Sequence, residues 1–246
     1  MRRIVLKISG EALAYEDSKG INHKKINEIA KEIKDLYDLG NIELCVVVGA
    51  GNIWRGRDAI DSGMDRSSAD YMGMLATILN ALAIQNALEA LGLETRTMTS
   101  LSIPSVAEPY IRRKALSHLQ KGRIIIFGGG NGIPFFSTDS TAALRSAELG
   151  SDLILMAKNG VDGVYDSDPR INKKAKRYSH LTHQELLDKQ LHVMDLTAAT
   201  LCAENNIDIL VFDMNVKGNI KRAVSDYSIG TLITNNKEWE YATINY

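Results

Sequence analysis

Three stretches of this sequence place glycine directly after a run of apolar, largely β-branched residues. They are Ser9-Gly10, Gly49-Ala50-Gly51 and Gly128-Gly129-Gly130-Asn131-Gly132. Glycine at such a turn lets backbone N–H groups approach an anion without a Cβ in the way, and phosphate is the usual anion. A single loop of this kind also serves any tight turn between a strand and a helix. Three of them, with the cations Lys7 and Arg55 beside them, favour a ligand that carries several phosphates.

Lys7 is the one charged residue in the first apolar run, residues 4–8, which reads Ile-Val-Leu-Lys-Ile. A buried ammonium group near the end of a strand is unfavourable unless an anion meets it. In open α/β sheets, the carboxyl ends of the strands are where ligands bind. The alternative is that the aliphatic stem of Lys7 lies on the sheet while its ammonium group reaches water. The two later glycine loops favour the ligand-binding interpretation.

Five aspartates beside predicted turns and helix starts are candidates for the same chemistry: Asp70, Asp139, Asp162, Asp168 and Asp195. Helix capping is the alternative role for Asp139, Asp168 and Asp195. Phosphoryl transfer needs groups that hold a lysine and Mg²⁺ in place, and sugar hydroxyls need an acceptor. Aspartate in a loop serves both purposes.

Several other classes of site lack their motifs. The sequence has no G-x-x-x-x-G-K-[ST] loop, no H-R-D and D-F-G pair, and no G-x-S-x-G elbow, and neither later glycine loop has the third glycine of G-x-G-x-x-G. No Cys/His spacing typical of a metal site occurs, and Cys45 and Cys202 lie in apolar runs, which predicts reduced core thiols. The five histidines stand among polar residues and are predicted at the surface: His23, His118, His180, His183 and His192.

Apolar runs alternate with helical patterns along the chain, which predicts a mostly parallel sheet with helices on both faces. The predicted strands are 4–8, 42–48, 94–99, 123–127, 152–156, 208–212 and 230–234. The predicted helices are 24–39, 70–91, 112–120, 140–149, 182–189, 195–204 and 217–224, and Asn22 is predicted to cap the first of them.

The predicted helix over 70–91 carries apolar or small residues nearly all the way round. One apolar face would cover a sheet, so a helix apolar on every side is buried on every side. We expect its second face to meet another subunit. The alternative is a helix enclosed within a single large domain.

Composition limits the partners. Net charge is −1 with 24% charged residues, which provides no electrostatic argument for nucleic acid or membrane as the main partner. No run of about 18 apolar residues occurs, and the start leads into the first strand without a signal-peptide pattern. A cytoplasmic location is therefore expected.

Eight stretches carry distinctive motifs in chain order: residues 7–13 (K-I-S-G-E-A-L), 49–56 (G-A-G-N-I-W-R-G), 70–75 (D-Y-M-G-M-L), 134–139 (P-F-F-S-T-D), 161–165 (V-D-G-V-Y), 168–169 (D-P), 193–196 (V-M-D-L) and 230–234 (G-T-L-I-T). Together they resemble the bacterial uridylate kinases (UMP kinases) of the amino acid kinase family. The likeness extends through Thr234. M-G-M-L-A-T and P-F-F-[ST]-T-D distinguish these kinases from relatives that phosphorylate glutamate, aspartate or carbamate.

The resemblance implies a three-layer αβα sandwich around a mostly parallel open sheet, and ATP:UMP phosphotransferase activity with Mg²⁺. It also implies a homohexamer assembled from dimers, inhibition by UTP and, in many members, activation by GTP. We expect one domain over residues 1–246, with a UMP-binding half at roughly 1–150, an ATP-binding lobe at roughly 151–234 and a peripheral tail at 235–246.

The resemblance also implies roles for individual residues. Lys7, Asp139 and Asp195 would be catalytic, the two acids orienting the lysine or the metal. The expected ATP contacts are Lys7, Ile8, Ser9, Gly10, Gly51, Arg55, Asn159, Tyr165 and Asp168. The expected UMP contacts are Ala50, Asp70, Asn131, Gly132, Ile133, Pro134, Phe135, Phe136, Ser137 and Thr138.

Two positions depart from the family pattern. Ala50 stands where a third glycine is common, and Ile133 stands where asparagine is common. Two other functions remain open. An amino acid kinase that makes an acyl phosphate would need a cationic carboxylate site, and a nucleotide-sensing regulator would bind nucleotide with little turnover.

Overall fold

Short β-branched and aliphatic runs form the strands of this protein, and amphipathic segments between them form the helices. The computed structural model describes residues 1–17, 19–56, 61, 63–169, 171–191 and 193–236. Within these residues the strands are β1 (Arg2–Ile8), β2 (Ile42–Val48), β3 (Thr95–Thr99), β4 (Glu108–Pro109), β5 (Ile124–Gly128), β6 (Leu153–Lys158), β7 (His180–Thr182), β8 (Asp208–Asp213) and β9 (Gly230–Thr234).

The helices pack on the two faces of the sheet that these strands form. They are α1 (His23–Tyr37), α2 (Arg66–Glu89), α3 (Arg112–Gln120), α4 (Thr138–Leu149), α5 (His183–Asp188), α6 (Leu196–Glu204) and α7 (Asn219–Arg222). The described strands form a single sheet in the order β4-β3-β5-β2-β1-β6-β8-β9-β7. Only the β8–β9 pair in that order is antiparallel, so the predicted mostly parallel sheet is confirmed.

Strand β1 shows how the alternation of side chains builds three layers. Ile4, Leu6 and Ile8 point to one face and join a core cluster with residues of α1, α2 and α7. Val5 points to the other face and joins a cluster with residues of α3, α4, α5 and α6. Successive side chains of a strand point to opposite faces, so Lys7 lies on the Val5 face, under α4.

Several element boundaries match the prediction because their signals are local. Strands β2 and β9 and helix α3 have the predicted bounds. The predicted Asn22 cap of α1 is present, since its side chain accepts from the amides of Lys24 and Lys25.

Helix α2 begins earlier than predicted, at Arg66, because the side chain of Asp65 caps it by accepting from the amide of Ser68. The buried residues of α2 include Met74, Ile84 and Leu88. A stripe on the other side is exposed, and we call it the α2 stripe: Tyr71, Met72, Leu75 and Leu79, between 41% and 52% exposed. This helix is also long and apolar enough to cross a membrane, yet half of its most apolar window is buried in the fold, as in a core helix.

The structure corrects the prediction for two histidines. His118 and His183 are buried, at 8% and 1% exposed, although they were predicted at the surface. His118 pairs with the carboxylate of Glu108, and Nε2 of His183 contacts the carbonyl of Ile207, so each ring has a tertiary partner. Nδ1 of His183 is buried and has no hydrogen-bond partner among the described residues. Burial lowers the pKa of His183 below its usual value, although the Ile207 carbonyl opposes the shift.

The short strands β4 and β7 were not predicted, because two or three residues are too few for a period-2 pattern.

Cys45 and Cys202 are unpaired and buried, as predicted, and burial raises the pKa of each thiol to about 12. The predictions for His192 and for residues 237–246 of the tail lie outside the described residues.

Candidate active site

Neighbouring parallel strands bring the three glycine loops to one edge of the sheet. The strands that precede them, β1, β2 and β5, lie side by side in the order β5-β2-β1. Gly10 and Gly49 are in such close contact that a Cβ on Gly10 would lie 2.6 Å from the Gly49 carbonyl oxygen. Gly129, Gly130 and Gly132 have positive φ angles of 77°, 55° and 79°, which favour glycine. The predicted cluster of glycine loops is therefore present.

Lys7 meets an anion in the folded protein. Its Nζ lies 2.6 Å from Oδ1 of Asp139, in the first turn of α4, and both side chains are largely buried. A second lysine, Lys158 at the end of β6, places its Nζ 3.9 Å from Oδ2 of the same carboxylate and 2.6 Å from the Val193 carbonyl oxygen. One carboxylate thus separates two cations at the edge where β1 and β6 end.

Burial and neighbouring charges shift the pKa values of Asp139 and Lys158. Burial by itself raises the pKa of Asp139, but the charges of Lys7 and Lys158 outweigh burial and hold that pKa below its usual value. Burial lowers the pKa of Lys158; Asp139 opposes this shift and Lys7 adds to it. Asp139 therefore stays ionised at neutral pH and helps Lys158 to remain cationic.

Asp195 is arranged differently from Asp139, although the same roles were expected for both. Its carboxylate caps α6 by accepting from the Ala198 amide at 2.8 Å. It also accepts from the hydroxyl of Ser140 at 2.9 Å and from the hydroxyl of Ser137, which itself caps α4. Asp195 thus joins the start of α6 to the start of α4, directly beside Asp139.

A cleft of about 280 Å³ opens beside this cluster, at the starts of α2 and α4. We call it the Asp70 cleft. Six of the ten residues expected to contact UMP line it: Ala50, Asp70, Ile133, Phe136, Ser137 and Thr138. Residues that sequence reasoning did not assign complete the lining: Trp54, Gly56, Ala69, Gly73, Met74, Thr77 and Gly130. Thr138 lines the cleft and the next residue, Asp139, pairs with Lys7, so cleft and cations adjoin.

One carboxylate oxygen of Asp70 already accepts two hydrogen bonds from neighbouring residues. Its Oδ2 accepts from the Phe135 amide at 2.8 Å and from Nε of Arg66 at 2.9 Å. The first contact ties α2 to the loop that precedes α4, across the cleft. Phe135 itself has a positive φ of 74° and a side chain that is 67% exposed, and the guanidinium carbon of Arg66 lies 5.6 Å from the centroid of its ring.

Asn131 lines a different cleft from the six expected UMP contacts that line the Asp70 cleft. That second cleft has a volume of about 260 Å³, and its lining includes Ser100, Tyr110 and Arg145. Oδ1 of Asn131 is buried and has no hydrogen-bond partner among the described residues. Gly132 packs against Ser100 on the same side, where an added Cβ would lie 3.0 Å from the Ser100 Cβ. The glycine loop after β5 therefore forms a wall between the two clefts.

The residues expected to contact ATP lie at the ends of β1, β2 and β6 and after them. Arg55 pairs with Glu11 at 3.0 Å and donates to the Gly51 carbonyl at 3.2 Å, which joins the first two glycine loops. The Ile8 side chain is fully buried on the face opposite Lys7, so only its backbone can face a ligand.

The later ATP candidates also make defined contacts. Asn159 follows β6 and accepts from the side-chain amide of Asn215 at 2.9 Å. The hydroxyl of Tyr165 donates to Asp162 at 2.7 Å. Asp168 begins a turn, because its backbone carbonyl accepts from the amides of Ile171 and Asn172.

Two elements of the site were not found by sequence reasoning. Lys158 ends the buried run Leu153–Lys158, so it carries the same sequence signal as Lys7. The buried pair Asn52 and Asn80 exchanges side-chain hydrogen bonds at 2.7 and 3.1 Å, and Asn80 also donates to the Gly49 carbonyl at 2.7 Å. No sequence signal marked this pair, which fastens the second glycine loop to α2.

The described residues contain no group of three or more His, Cys, Asp or Glu side chains arranged to hold a metal ion. Asp139 is engaged by two lysines, and the oxygens of Asp195 accept from two hydroxyls and an amide. Mg²⁺ in phosphoryl-transfer sites is commonly held by one or two carboxylates together with substrate phosphates. Among the described residues this donor set forms no preformed cage, and it fits a cation that arrives on a nucleotide.

Comparison with known proteins identifies relatives over nearly the whole chain. The model of the amino acid kinase family matches residues 2–213. A uridylate kinase of Limosilactobacillus reuteri (strain DSM 20016) is 53% identical over 232 residues, which is 94% of this chain and 96% of the relative.

Two solved structures have the same fold. The UMP kinase of Bacillus anthracis superposes with a TM-score of 0.92 at 43% identity, covering 96% of each chain. The UMP kinase of Ureaplasma parvum superposes with a TM-score of 0.90 at 42% identity, covering 95% of this chain and 98% of the other.

Proposed function

Because the chain belongs to the amino acid kinase family, we propose that it transfers the γ-phosphoryl group of ATP to UMP, giving ADP and UDP. The observation that carries this proposal is the Lys7–Asp139–Lys158 cluster beside the Asp70 cleft. The relatives named as uridylate kinases support the substrate pair. This is a nucleoside monophosphate kinase that feeds pyrimidine nucleotide synthesis.

The acceptor sets the demands on catalysis. The attacking group is a phosphate oxygen that is already ionised at neutral pH, so no general base is required. Catalysis consists of bringing two polyanions into line and stabilising charge on the transferred phosphoryl group. Lys7 and Lys158 supply positive charge in a preorganised, largely buried setting, where it acts more strongly than in water.

The glycine loops and the start of α4 complete the anion site. Loops at Ser9-Gly10 and Gly51 offer backbone N–H groups to the ATP phosphates, with Arg55 as a cation beside them. Helix α4 directs the positive end of its dipole to the junction of cleft and cations, at Thr138 and Asp139. Asp139 orients the two lysines, and Asp195 acts as a positioning residue through Ser137 and Ser140.

The acceptor nucleotide occupies the Asp70 cleft in this proposal. Asp70 accepts from the ribose hydroxyls, Thr138 and Ala50 lie toward the phosphate, and Ile133 and Phe136, which line the cleft, lie beside the base. Asn159, Tyr165 and Asp168 hold the adenosine of ATP on the other side of the lysine cluster. Mg²⁺ would arrive on the ATP phosphates and neutralise charge on them, and Asp139 would help to hold it.

The test is a coupled assay with ATP and Mg²⁺ that compares UMP, CMP, dUMP, glutamate and carbamate as acceptors. We expect turnover with UMP and loss of that turnover when Mg²⁺ is chelated. Turnover with glutamate or carbamate instead would keep the fold and overturn the acceptor. Absence of turnover together with UTP-dependent thermal stabilisation would indicate a nucleotide-sensing regulator.

The α2 stripe supports a second part of the proposal, that the enzyme is a homo-oligomer. Tyr71, Met72, Leu75 and Leu79 form a continuous apolar strip on one side of a long helix. A second copy of the same strip offers a matching apolar surface, as in a two-fold dimer. Association of such dimers into a homohexamer is what the family resemblance leads us to expect.

Charged residues on the α2 stripe should dissociate the oligomer. We expect Leu75→Glu combined with Leu79→Glu to lower the molar mass measured by light scattering, because two carboxylates cannot be desolvated in an apolar interface without partners. Lys24→Glu on the exposed side of α1 is the control. An unchanged mass in the double variant would exclude the α2 stripe as the interface.

Regulation and location follow the same proposal. UTP shares the uridine moiety of the acceptor, so it would compete for the Asp70 cleft and inhibit. GTP would activate at a separate site to which we assign no residues.

We place the enzyme in the cytoplasm, where both nucleotide substrates are made. Its net charge of −1 provides no support for a nucleic-acid partner.

A further inference from the structure

The glycine loop after β5 needs external support, because three of its glycines adopt positive φ angles. A backbone rich in glycine has many alternative conformations, so side chains must select one. Among the described residues, two side-chain hydroxyl groups form hydrogen bonds with this loop. Oγ1 of Thr77 accepts from the Gly129 amide at 2.8 Å, and the hydroxyl of Ser100 donates to the Gly130 carbonyl at 2.8 Å. Thr77 lies inside the Asp70 cleft, whereas Ser100 lies behind the wall, in the second cleft.

Ser100 is itself oriented by a buried arginine. Nη2 of Arg145 donates to the Ser100 hydroxyl oxygen at 2.7 Å. The arginine side chain has hydrogen-bond donors only, so the Ser100 oxygen must accept from it. The hydroxyl hydrogen of Ser100 then donates to the Gly130 carbonyl oxygen. The direction of both hydrogen bonds is therefore determined by chemistry. A charged donor also polarises the hydroxyl and strengthens the second bond.

Arg145 is buried and contacts several other side chains. It is 4% exposed, its Nη1 pairs with the Glu148 carboxylate, and its guanidinium carbon lies 3.8 Å from the centroid of the Tyr110 ring. The Tyr110 hydroxyl donates to Glu148 at 2.8 Å, which closes the network. The mechanism proposed above uses none of these side chains, although burying an arginine requires this degree of compensation.

We propose that Arg145 and Ser100 are positioning residues that hold the glycine loop after β5 in the shape that binds the acceptor nucleotide. The inference rests on the proposed function, because Gly130 and Ile133 of this loop line the Asp70 cleft. Both residues act from behind the wall and do not line that cleft. Their loss should therefore weaken the acceptor site and spare the ATP site, which lies at the ends of β1, β2 and β6.

The test separates the Michaelis constants of the two substrates. We expect Ser100→Ala to raise KM for UMP about fivefold to tenfold, the scale of one lost hydrogen bond, while KM for ATP and kcat stay within about twofold. Arg145→Lys, which keeps the charge but not the planar fork that joins Glu148 to Ser100, should give a similar rise. The double variant should be no worse than the poorer single variant, because both changes break one relay.

Ser102→Ala is the matched control. Ser102 lines the same second cleft, is exposed, and its hydroxyl has no hydrogen bond among the described residues. A purely structural role of Ser100 would lower the thermal unfolding temperature and leave the KM ratio unchanged, which would overturn the proposal. An equal rise of both Michaelis constants, or the same rise in Ser102→Ala, would also overturn it. Wild-type protein without UMP turnover would instead contradict the proposed function.

Discussion

Replacement of Lys7 by alanine should lower kcat by at least about two decades, the scale of removing one strong charge stabiliser from a preorganised site. Lys7 is the cation at the end of β1 that pairs with Asp139 at 2.6 Å, and it is 7% exposed. Its charge acts on the transferred phosphoryl group and not on the uridine. We therefore expect KM for UMP to change much less than kcat.

Folding should survive this substitution, since Lys158 remains beside Asp139 and alanine fits a buried strand. Thermal unfolding and UMP-dependent stabilisation check that the variant is intact. Lys31→Ala, at an exposed position on α1, is the control and should retain wild-type turnover. Full activity in Lys7→Ala would remove Lys7 from the mechanism.

The second large effect is expected for Asp139→Asn, which keeps the shape of the side chain and removes its charge. Two lysines then face each other at the site without the carboxylate between them. We expect kcat to fall by at least about tenfold, since the cations lose the group that orients them. Asp35→Asn, at an exposed position on α1, is the control.

The same variant should change the dependence of kcat on pH in a defined direction. Burial and Lys7 lower the pKa of Lys158, and the Asp139 carboxylate raises it. Removing that carboxylate lowers the pKa of Lys158 further, so the ammonium group loses its proton at a lower pH. The alkaline decline of kcat should therefore begin at a lower pH in Asp139→Asn than in the wild type. An alkaline limb at the same pH in both proteins would show that Lys158 does not need its charge, or that Asp139 does not maintain it.

Local sequence signals were sufficient where one residue type determines the outcome. Glycine after a buried run predicted the three loops, and an asparagine before an amphipathic segment predicted the cap of α1. Lys7 was identified because a charge at the end of a buried strand demands an anion. Lys158 satisfies the same criterion, because it ends the buried run Leu153–Lys158, but it was not among the predicted site residues.

Other features had no local signal. The aspartates Asp139 and Asp195 look alike in sequence, since each stands at the start of a helix. Folding places Asp139 between two lysines and surrounds Asp195 with the hydroxyls of Ser137 and Ser140. His118 and His183 stand among polar residues in the sequence but are buried in the fold. This burial had no local signal, because their partners Glu108 and Ile207 are separated from them along the chain.

By itself, the sequence determined the layered α/β architecture, the three glycine loops that meet at one sheet edge and the family of the chain. These follow from the period of apolar residues, from glycine at strand ends and from motifs whose order is read directly. Only the tertiary structure decided that Asn131 lies behind the wall of the Asp70 cleft, that Asn80 holds the Gly49 loop and that Arg145 supports Gly130 through Ser100. Each of these contacts joins residues from different elements, and their distances depend on how helices pack on the sheet. Local periodicity carries no information about such packing.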